Sequence, residues 1–177
     1  MDQMGIHYNF WIVLLSFVLA VTAAYSALNL VSQVSHSVGK IRSLWFISGA
    51  CVLGSGIWAM HFVGILASRF PLEVGYRPGL AILSMLVGML ACYLALRLAC
   101  TPYPKPWQLA LSSLILGGGM SGMHYIGMSS MEMKAVIHYH LLTQALSFII
   151  AVTCSYLGLH LLERFKDSHG FSKWKLY

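Results

Sequence analysis

Apolar positions in this chain form long uninterrupted runs, unlike the alternating patterns of a water-soluble fold. A helix needs on the order of 20 apolar residues to cross a bilayer core about 30 Å thick. Runs of that length without Asp, Glu, Lys or Arg occur five times, the third reaching residue 100 if Arg97 extends its charged end to the interface. The pattern therefore predicts five transmembrane helices, at residues 10–31, 44–68, 79–100, 107–131 and 141–162.

The composition agrees with lipid as the solvent. Of the 177 residues, 58% are hydrophobic and only 9% are charged. A water-facing surface needs roughly a quarter to a third of its residues charged, so a soluble globular protein is excluded. The high apolar content also excludes a disordered chain. The four cysteines lie in or beside apolar runs without close pairs, and we interpret them as packing residues. The predicted fold class is an all-α membrane protein.

Basic residues are distributed unevenly over the segments between the predicted helices. Eight of them fall on one side of the membrane and three on the other. Because cytoplasmic segments carry the excess of Lys and Arg, the N-terminus is predicted outside and the C-terminus inside, with residues 164–177 as a basic cytoplasmic tail. The net charge of +6 is thus a topology signal. It does not indicate nucleic-acid binding, because the sequence has no basic stripe with base-stacking aromatic residues. A signal peptide is a poorer interpretation of the first run, because no positive charge precedes it.

The odd-numbered runs repeat one pattern and the even-numbered runs repeat another. Tyr, Ser, Tyr and Leu recur at one spacing in the odd runs, at Tyr8, Ser16, Tyr25 and Leu28, at Tyr76, Ser84, Tyr93 and Leu96, and at Tyr139, Ser147, Tyr156 and Leu159. The even runs share Gly, Gly, Met, His, an aromatic residue and Gly, at Gly54, Gly56, Met60, His61, Phe62 and Gly64, and at Gly117, Gly119, Met123, His124, Tyr125 and Gly127. These repeats predict a bundle built from helical hairpins, and the glycines favour close helix packing.

Histidine gathers at the predicted outer side of the membrane. His61 and His124 lie in the outer third of the even runs, and His7, His138 and His140 lie at the same level at the start of odd runs. A histidine near the interface can simply hydrogen-bond to water or to a headgroup. The same Met-His string at the same depth in two runs favours a functional site instead, since lipid would accept any apolar residue there.

Methionine follows the same distribution, with five of the ten methionines within residues 120–133. Met120, His124, Met128 and Met131 are spaced for one helix face, which also suits simple packing. Imidazole and thioether together form a soft ligand set that favours copper, Cu(I) in particular. The candidate metal ligands are Met60, His61, Met123, His124, Met128, His138 and His7.

The two strings, at residues 56–64 and 119–128, resemble the motif of the bacterial MHYT integral-membrane sensor domain. The Tyr-Ser-Tyr-Leu runs resemble its other helices, and the resemblance covers residues 8–162, giving a sensor domain at residues 1–163. Val63 and Ile126 stand where the family usually has Thr, and Phe62 stands where it has Tyr. The family usually has six or seven helices and a further motif copy, so we expect a short, five-helix version.

The resemblance implies a multi-pass sensor in the cytoplasmic membrane that binds copper near the outer face and perceives oxygen, carbon monoxide or nitric oxide. It also implies a separate cyclic-dinucleotide signalling partner, and it leaves a homo-oligomer open. Two alternatives stay open: a haem or redox protein with His61 and His124 as ligands, and a metal permease. We expect no enzymatic activity, because no run carries an acid and base pair or an activated nucleophile.

Overall fold

The computed structural model describes residues 7–69, 75–101, 104–132 and 141–168. Five long helices make up most of this part of the chain, and a 3-10 helix, Gln33–His36, joins the first to the second. The helices are α1 (Phe10–Ser32), α2 (Gly39–Leu66), α3 (Pro78–Ala99), α4 (Pro106–Ser129) and α5 (Leu141–Ser168). The predicted all-α bundle of five helices is confirmed.

Proline and side-chain caps fix where several helices begin. Pro78 and Pro106 open α3 and α4, where the ring presets a helical φ and the missing N–H would have no partner. The Asn9 side chain accepts a hydrogen bond from the Trp11 N–H at the start of α1. The start of α2 at Gly39 differs from the predicted residue 44. A charge-free run marks the part of a helix that lies in lipid, and the helix itself extends further.

Two short antiparallel strand pairs close one end of the bundle. They are formed by β1 (His7–Tyr8) with β2 (Ser68–Arg69), and by β3 (Gly75–Tyr76) with β4 (Met131–Glu132). Beside these pairs, the Asn9 N–H donates to the Ala67 carbonyl at 2.9 Å and the Arg77 N–H donates to the Ser130 carbonyl at 2.8 Å. Each pair joins the start of one helix to the end of the next, so α1 with α2 and α3 with α4 form two closed two-helix units.

Consecutive helices pack against each other, and α2 also meets α4. Buried residues are concentrated on α3 and α4. The main core cluster lies at the end of the bundle remote from the strand pairs, and it comprises Val31, Val34, Phe46, Ala50, Cys92, Ala95, Leu96, Ala99, Cys100, Leu109, Leu116 and Leu159.

Glycine allows α2 and α4 to approach the helix that follows each of them. A Cβ atom on Gly54 would lie 2.6 Å from the Cα of Met89 on α3, and one on Gly117 would lie 2.7 Å from the Cα of Val152 on α5. Both distances are shorter than real Cβ contacts, and the neighbouring atoms belong to backbone that cannot move aside. These two positions therefore require glycine.

The same two helices approach the preceding helix through a second glycine. A Cβ atom on Gly56 would overlap the Cβ of Ala23 on α1, and one on Gly119 would overlap the Cβ of Ala91 on α3. Small residues at helix contacts of this kind are typical of packing in membranes, where backbones come close in the absence of a hydrophobic driving force.

The outer surface of the bundle is strongly apolar. Trp11 is 75% exposed and Leu142 is 84% exposed, among many other large apolar side chains. Patches of this size favour a lipid environment. Four helical segments in the described ranges are long and apolar enough to cross a membrane: Phe10–Ser32, Gly39–Leu66, Pro78–Ala99 and Leu141–Glu163. Helix α4, which contains His124 and several Gly and Ser residues, falls outside this group.

Replacing Gly54 with Ala should destabilise the bundle, because the new methyl group would meet the α3 backbone. We expect a loss of about 1–3 kcal/mol in the free energy of unfolding, the usual cost of overpacking. Thermal unfolding of the purified protein in detergent, followed by circular dichroism, measures it. Gly64→Ala on the same helix is the control: no atom lies within 4 Å of a Cβ there, and Ala favours a helix over Gly. Equal melting temperatures for the two variants would contradict the packing described above.

Candidate functional site

The motif histidines of α2 and α4 are in direct contact. The ring centroids of His61 and His124 lie 4.7 Å apart, with the rings inclined at 71° so that an edge of one faces the other. Both residues belong to the last two turns of their helices, at the end closed by the strand pairs. The structure therefore brings together the two residues that the duplicated string singles out.

One nitrogen of this pair has no partner. The Nε2 atom of His61 is buried and makes no hydrogen bond. A Cβ atom on Gly127 would lie 3.5 Å from this nitrogen, so the glycine keeps the space beside it free of a side chain. Buried polar atoms are normally satisfied, and one left alone costs free energy. This nitrogen is consequently available to a ligand.

Aromatic side chains of α2 cover the histidines on one side. The Phe62 ring lies edge-on to His61, with centroids 5.5 Å apart, and packs against Trp58 at 4.6 Å and Tyr76 at 6.1 Å. The same Phe62 ring lies over Gly127, 3.4 Å from the position of a Cβ there. These rings shield one side of the imidazole contact.

Trp58 is held in place by hydrogen bonds to α3. Its Nε1–H donates to the Ala81 carbonyl at 3.1 Å and to the Ser84 hydroxyl oxygen at 3.0 Å, and Ser84 is fully buried. Trp58 is not among the ligands predicted from the motif strings. A signal for it exists: an indole N–H inside an apolar helix needs an acceptor from a neighbouring helix. The corresponding residue of α4 is Ser121, which donates to its own helix at Gly117.

The methionines predicted as ligands have different surroundings. Met123 is 3% exposed and packs against α3, where its Cγ would lie 3.5 Å from a Cβ on Gly88. Met60 and Met128 are half-buried. The prediction that Met131 shares a helix face with His124 is wrong, because α4 ends at Ser129 and Met131 lies in β4.

The end of α4 has a clear local cause. Ser130 is fully buried, its hydroxyl donates to the Gly127 carbonyl at 2.6 Å, and its own carbonyl accepts the Arg77 N–H. The chain thereby leaves the helical path and continues as a strand.

Two predicted ligands cannot be placed as side chains. His7 lies in β1 with its backbone opposite Arg69, at the same end as the histidine pair, and only its backbone is described. His138 lies outside the described residues, as does His140. Among the described residues, no three of His, Cys, Asp and Glu gather closely enough to hold a metal ion by themselves.

Two charged residues at this end, Arg77 and Glu132, pair with each other. Arg77 Nε lies 2.6 Å from the Glu132 carboxylate, linking β4 to the start of α3. Both side chains are mostly exposed, so the pair contributes little to stability in solvent. It leaves no described carboxylate near the imidazoles.

These features define an all-helical membrane domain with a duplicated Met-His motif whose two copies meet. The family model described as "MHYT: Bacterial signalling protein N terminal repeat" matches residues 1–43, 54–112 and 117–171, and the chain belongs to this family. The family assignment made from the two motif strings is thus confirmed. No solved structure is significantly similar to the chain.

Several curated proteins are similar over most of this chain. The bifunctional diguanylate cyclase/cyclic di-GMP phosphodiesterase MucR of Pseudomonas aeruginosa is 41% identical over 92% of the chain and 24% of its own length. The cyclic di-GMP phosphodiesterase NbdA of the same species is 36% identical over 84% of the chain and 19% of its own length. The signaling protein YkoW of Bacillus subtilis is 34% identical over 89% of the chain and 20% of its own length. The chain spans about a quarter or less of these relatives.

Replacing Trp58 with Phe should loosen the wall of the site, because it keeps an aromatic ring there but removes the indole N–H. Loss of the indole N–H leaves α2 without its hydrogen bonds to Ala81 and Ser84, and we expect a loss of about 1 kcal/mol in the free energy of unfolding. Thermal unfolding in detergent measures this loss. Trp11→Phe is the control, since Trp11 is largely exposed and its indole has no hydrogen bond in the described part of the chain. A similar loss in both variants would contradict the anchoring role of Trp58.

Proposed function

We propose that this chain is the sensing module of a bacterial signalling system, that it binds copper between α2 and α4, and that its signal is a diatomic gas such as oxygen, carbon monoxide or nitric oxide. The observation that carries the proposal is the buried, unpartnered Nε2 of His61 beside the ring of His124. That contact joins the two copies of the motif that the family is built on.

The donor set supports a soft metal ion. A metal-imidazole bond is about 2 Å long, so two rings with centroids 4.7 Å apart can both present a nitrogen to one ion. Imidazole with thioether is the combination that Cu(I) prefers. We propose His61 and His124 as the central ligands, with thioethers from Met60 and Met128. Met123, which packs against Gly88, and His7 and His138 complete the candidates.

The remaining residues of the site would control access to the ion. Bound copper would supply an electron-rich centre for a diatomic gas. Gly127 places no side chain beside the His61 nitrogen, and Phe62 and Trp58 cover it on one side. The chain would therefore hold the ion in an apolar pocket that admits small neutral molecules more readily than ions.

The geometry argues against the two alternatives. Axial histidines of one haem lie on opposite faces of the porphyrin, whereas the rings of His61 and His124 touch and leave no room for that plane. A permease would need ligands along the membrane. Toward the predicted inner side, α2 and α3 offer few soft ligands besides Cys51, Cys92 and Cys100.

We propose that all five helices cross the cytoplasmic membrane, α4 included, with the N-terminus outside. The uneven distribution of Lys and Arg supports this orientation. The recurrence of the same contacts in α1 with α2 and in α3 with α4 supports repeated hairpins as the unit of the fold. The two equivalent strand pairs support it further. So do the equivalent hydrogen bonds beside them, from Asn9 to Ala67 and from Arg77 to Ser130.

A signal would reach the other end of the bundle through helix packing. The histidine contact joins α2 to α4, and each of these helices packs on both of its sequence neighbours through glycine. A ligand shifts such a bundle only if it binds one packing arrangement better than another. The names of MucR and NbdA suggest that the output is a cyclic di-GMP enzyme, which we propose for the signalling partner of this chain as well.

Membrane topology can be tested with single cysteines in a background that lacks the four native ones. We expect Lys134→Cys in intact cells to react with an impermeant maleimide, and Lys173→Cys to react only after lysis, because the positive-inside rule places residue 134 outside. Gel-shift detection of the labelled protein is the measurement. The opposite labelling pattern would rule out both the orientation and an outer-face site.

Copper binding can be tested on protein purified from copper-supplemented cells. We expect elemental analysis to find about one copper ion per chain, and His61→Ala or His124→Ala to remove most of it, because an incomplete ligand shell binds weakly. Circular dichroism of each variant shows whether the fold is intact. Equal metal content in the wild type and the double histidine variant would end the proposal.

The two motif helices provide a matched control for the thioether. Met128→Leu changes the ligand with little change in volume and should weaken copper binding. Ile65→Leu, at the corresponding position of α2, should leave the copper content unchanged. If Met128→Leu lowered the amount of folded protein in proportion to the copper, Met128 would be a packing residue.

A further inference from the structure

A second polar site lies at the opposite end of the bundle from the histidines. A cavity of about 380 Å³ is lined by Gly39, Arg42, Ser43, Phe46, Arg97 and Thr101, among others. Arg42 and His61 are about 28 Å apart along α2, at a rise of 1.5 Å per residue. This cavity is therefore separate from the candidate metal site, and the inference drawn from it does not depend on copper.

Two guanidinium groups converge on one aromatic ring in this cavity. Arg42 of α2 lies 6.0 Å from the centroid of the buried Phe46 ring, and Arg97 of α3 lies 5.4 Å from it. Each arginine gains from the face of the ring, but two like charges held near one ring also repel each other. An anion between them would offset that repulsion.

No described carboxylate neutralises these arginines. The described side chains include two carboxylates: Glu132, which pairs with Arg77 at the far end of the bundle, and Glu163, which lies 3.9 Å from His160. An uncompensated pair of arginines facing a cavity is the arrangement that recognises phosphate, because the planar guanidinium presents parallel N–H donors.

Uncharged groups of the cavity add to the preference for an anion. The Thr101 hydroxyl oxygen is buried and has no hydrogen-bond partner in the described part of the chain. The start of α2 has no side-chain cap and no acidic residue in its first turn, and Gly39 adopts a φ of +60° there. Free backbone N–H groups and the positive end of the helix dipole therefore face the same region.

We propose that this cavity binds a phosphate group of an anionic ligand, either the headgroup of an acidic phospholipid or a soluble phosphate. Arg42 and Arg97 form charge-assisted hydrogen bonds to the phosphate oxygens, and the Thr101 hydroxyl donates a further one. The bound phosphate links the start of α2 to the end of α3. Under the proposed topology this is the cytoplasmic end, where an acidic headgroup reaches the cavity from the bilayer.

The test uses the full chain in detergent and measures ligand-induced thermal stabilisation and retained ligand by native mass spectrometry. One arm adds phosphatidylglycerol, with phosphatidylcholine as the uncharged comparison. The other arm adds inorganic phosphate, with sodium chloride at equal ionic strength. Stabilisation and one retained molecule with phosphatidylglycerol alone assign a lipid headgroup, and saturable stabilisation by inorganic phosphate assigns a soluble ligand.

Variants distinguish binding at a specific site from attraction by general surface charge. Arg42→Gln and Arg97→Gln should each weaken binding about tenfold, and Thr101→Val should weaken it without any change of charge. Lys40→Gln removes an equal charge from the same helix start, outside the cavity, and should bind like the wild type. Melting curves without ligand identify any variant that fails to fold. Absence of stabilisation in both arms, or an equal loss in Lys40→Gln and Arg42→Gln, would overturn the proposal.

Discussion

The close approach of helix backbones is the constraint on which the rest of this structure depends. In lipid the tails are as apolar as the side chains, so helices associate through packing rather than through removal of water. On α2, Gly54 contacts α3 and Gly56 contacts α1. The equivalent pair on α4, Gly117 and Gly119, contacts α5 and α3. With two glycine contacts each, the motif helices pack at a defined level against their neighbours, and the depth of His61 and His124 is set by that fit.

The sequence contained enough information for the helices and too little for their ends. Absence of charge over a bilayer's thickness is a physical requirement, and it located all five helices. In the structure Pro78 and Pro106 stand at two of the helix starts. Helix α2 nevertheless begins at Gly39 and α5 continues to Ser168, because charged residues beyond the lipid do not end a helix. Strands of two residues are too short to show an alternating pattern, so β1 to β4 left no signal.

For the candidate site too, one part could be predicted from the sequence and another could not. A string repeated at equal depth in two parallel-running helices predicted that His61 and His124 share one level, and the structure shows their rings in contact. The environment of each methionine could not be read in the same way. It depends on which neighbour a side chain packs against, as Met123 does on Gly88, and on where the helix stops, as α4 does at Ser129.

The strand pairs have a consequence for how such a domain can change in size. Peptide groups at the boundary of a bilayer need partners, and in each two-helix unit the exit of the second helix supplies them to the entry of the first. A unit therefore satisfies the hydrogen bonds of its own backbone at that boundary. From the next unit it needs only an apolar surface with small residues to pack against. Gene duplication could lengthen the array two helices at a time, each new pair bringing its own histidine to the same depth in the membrane.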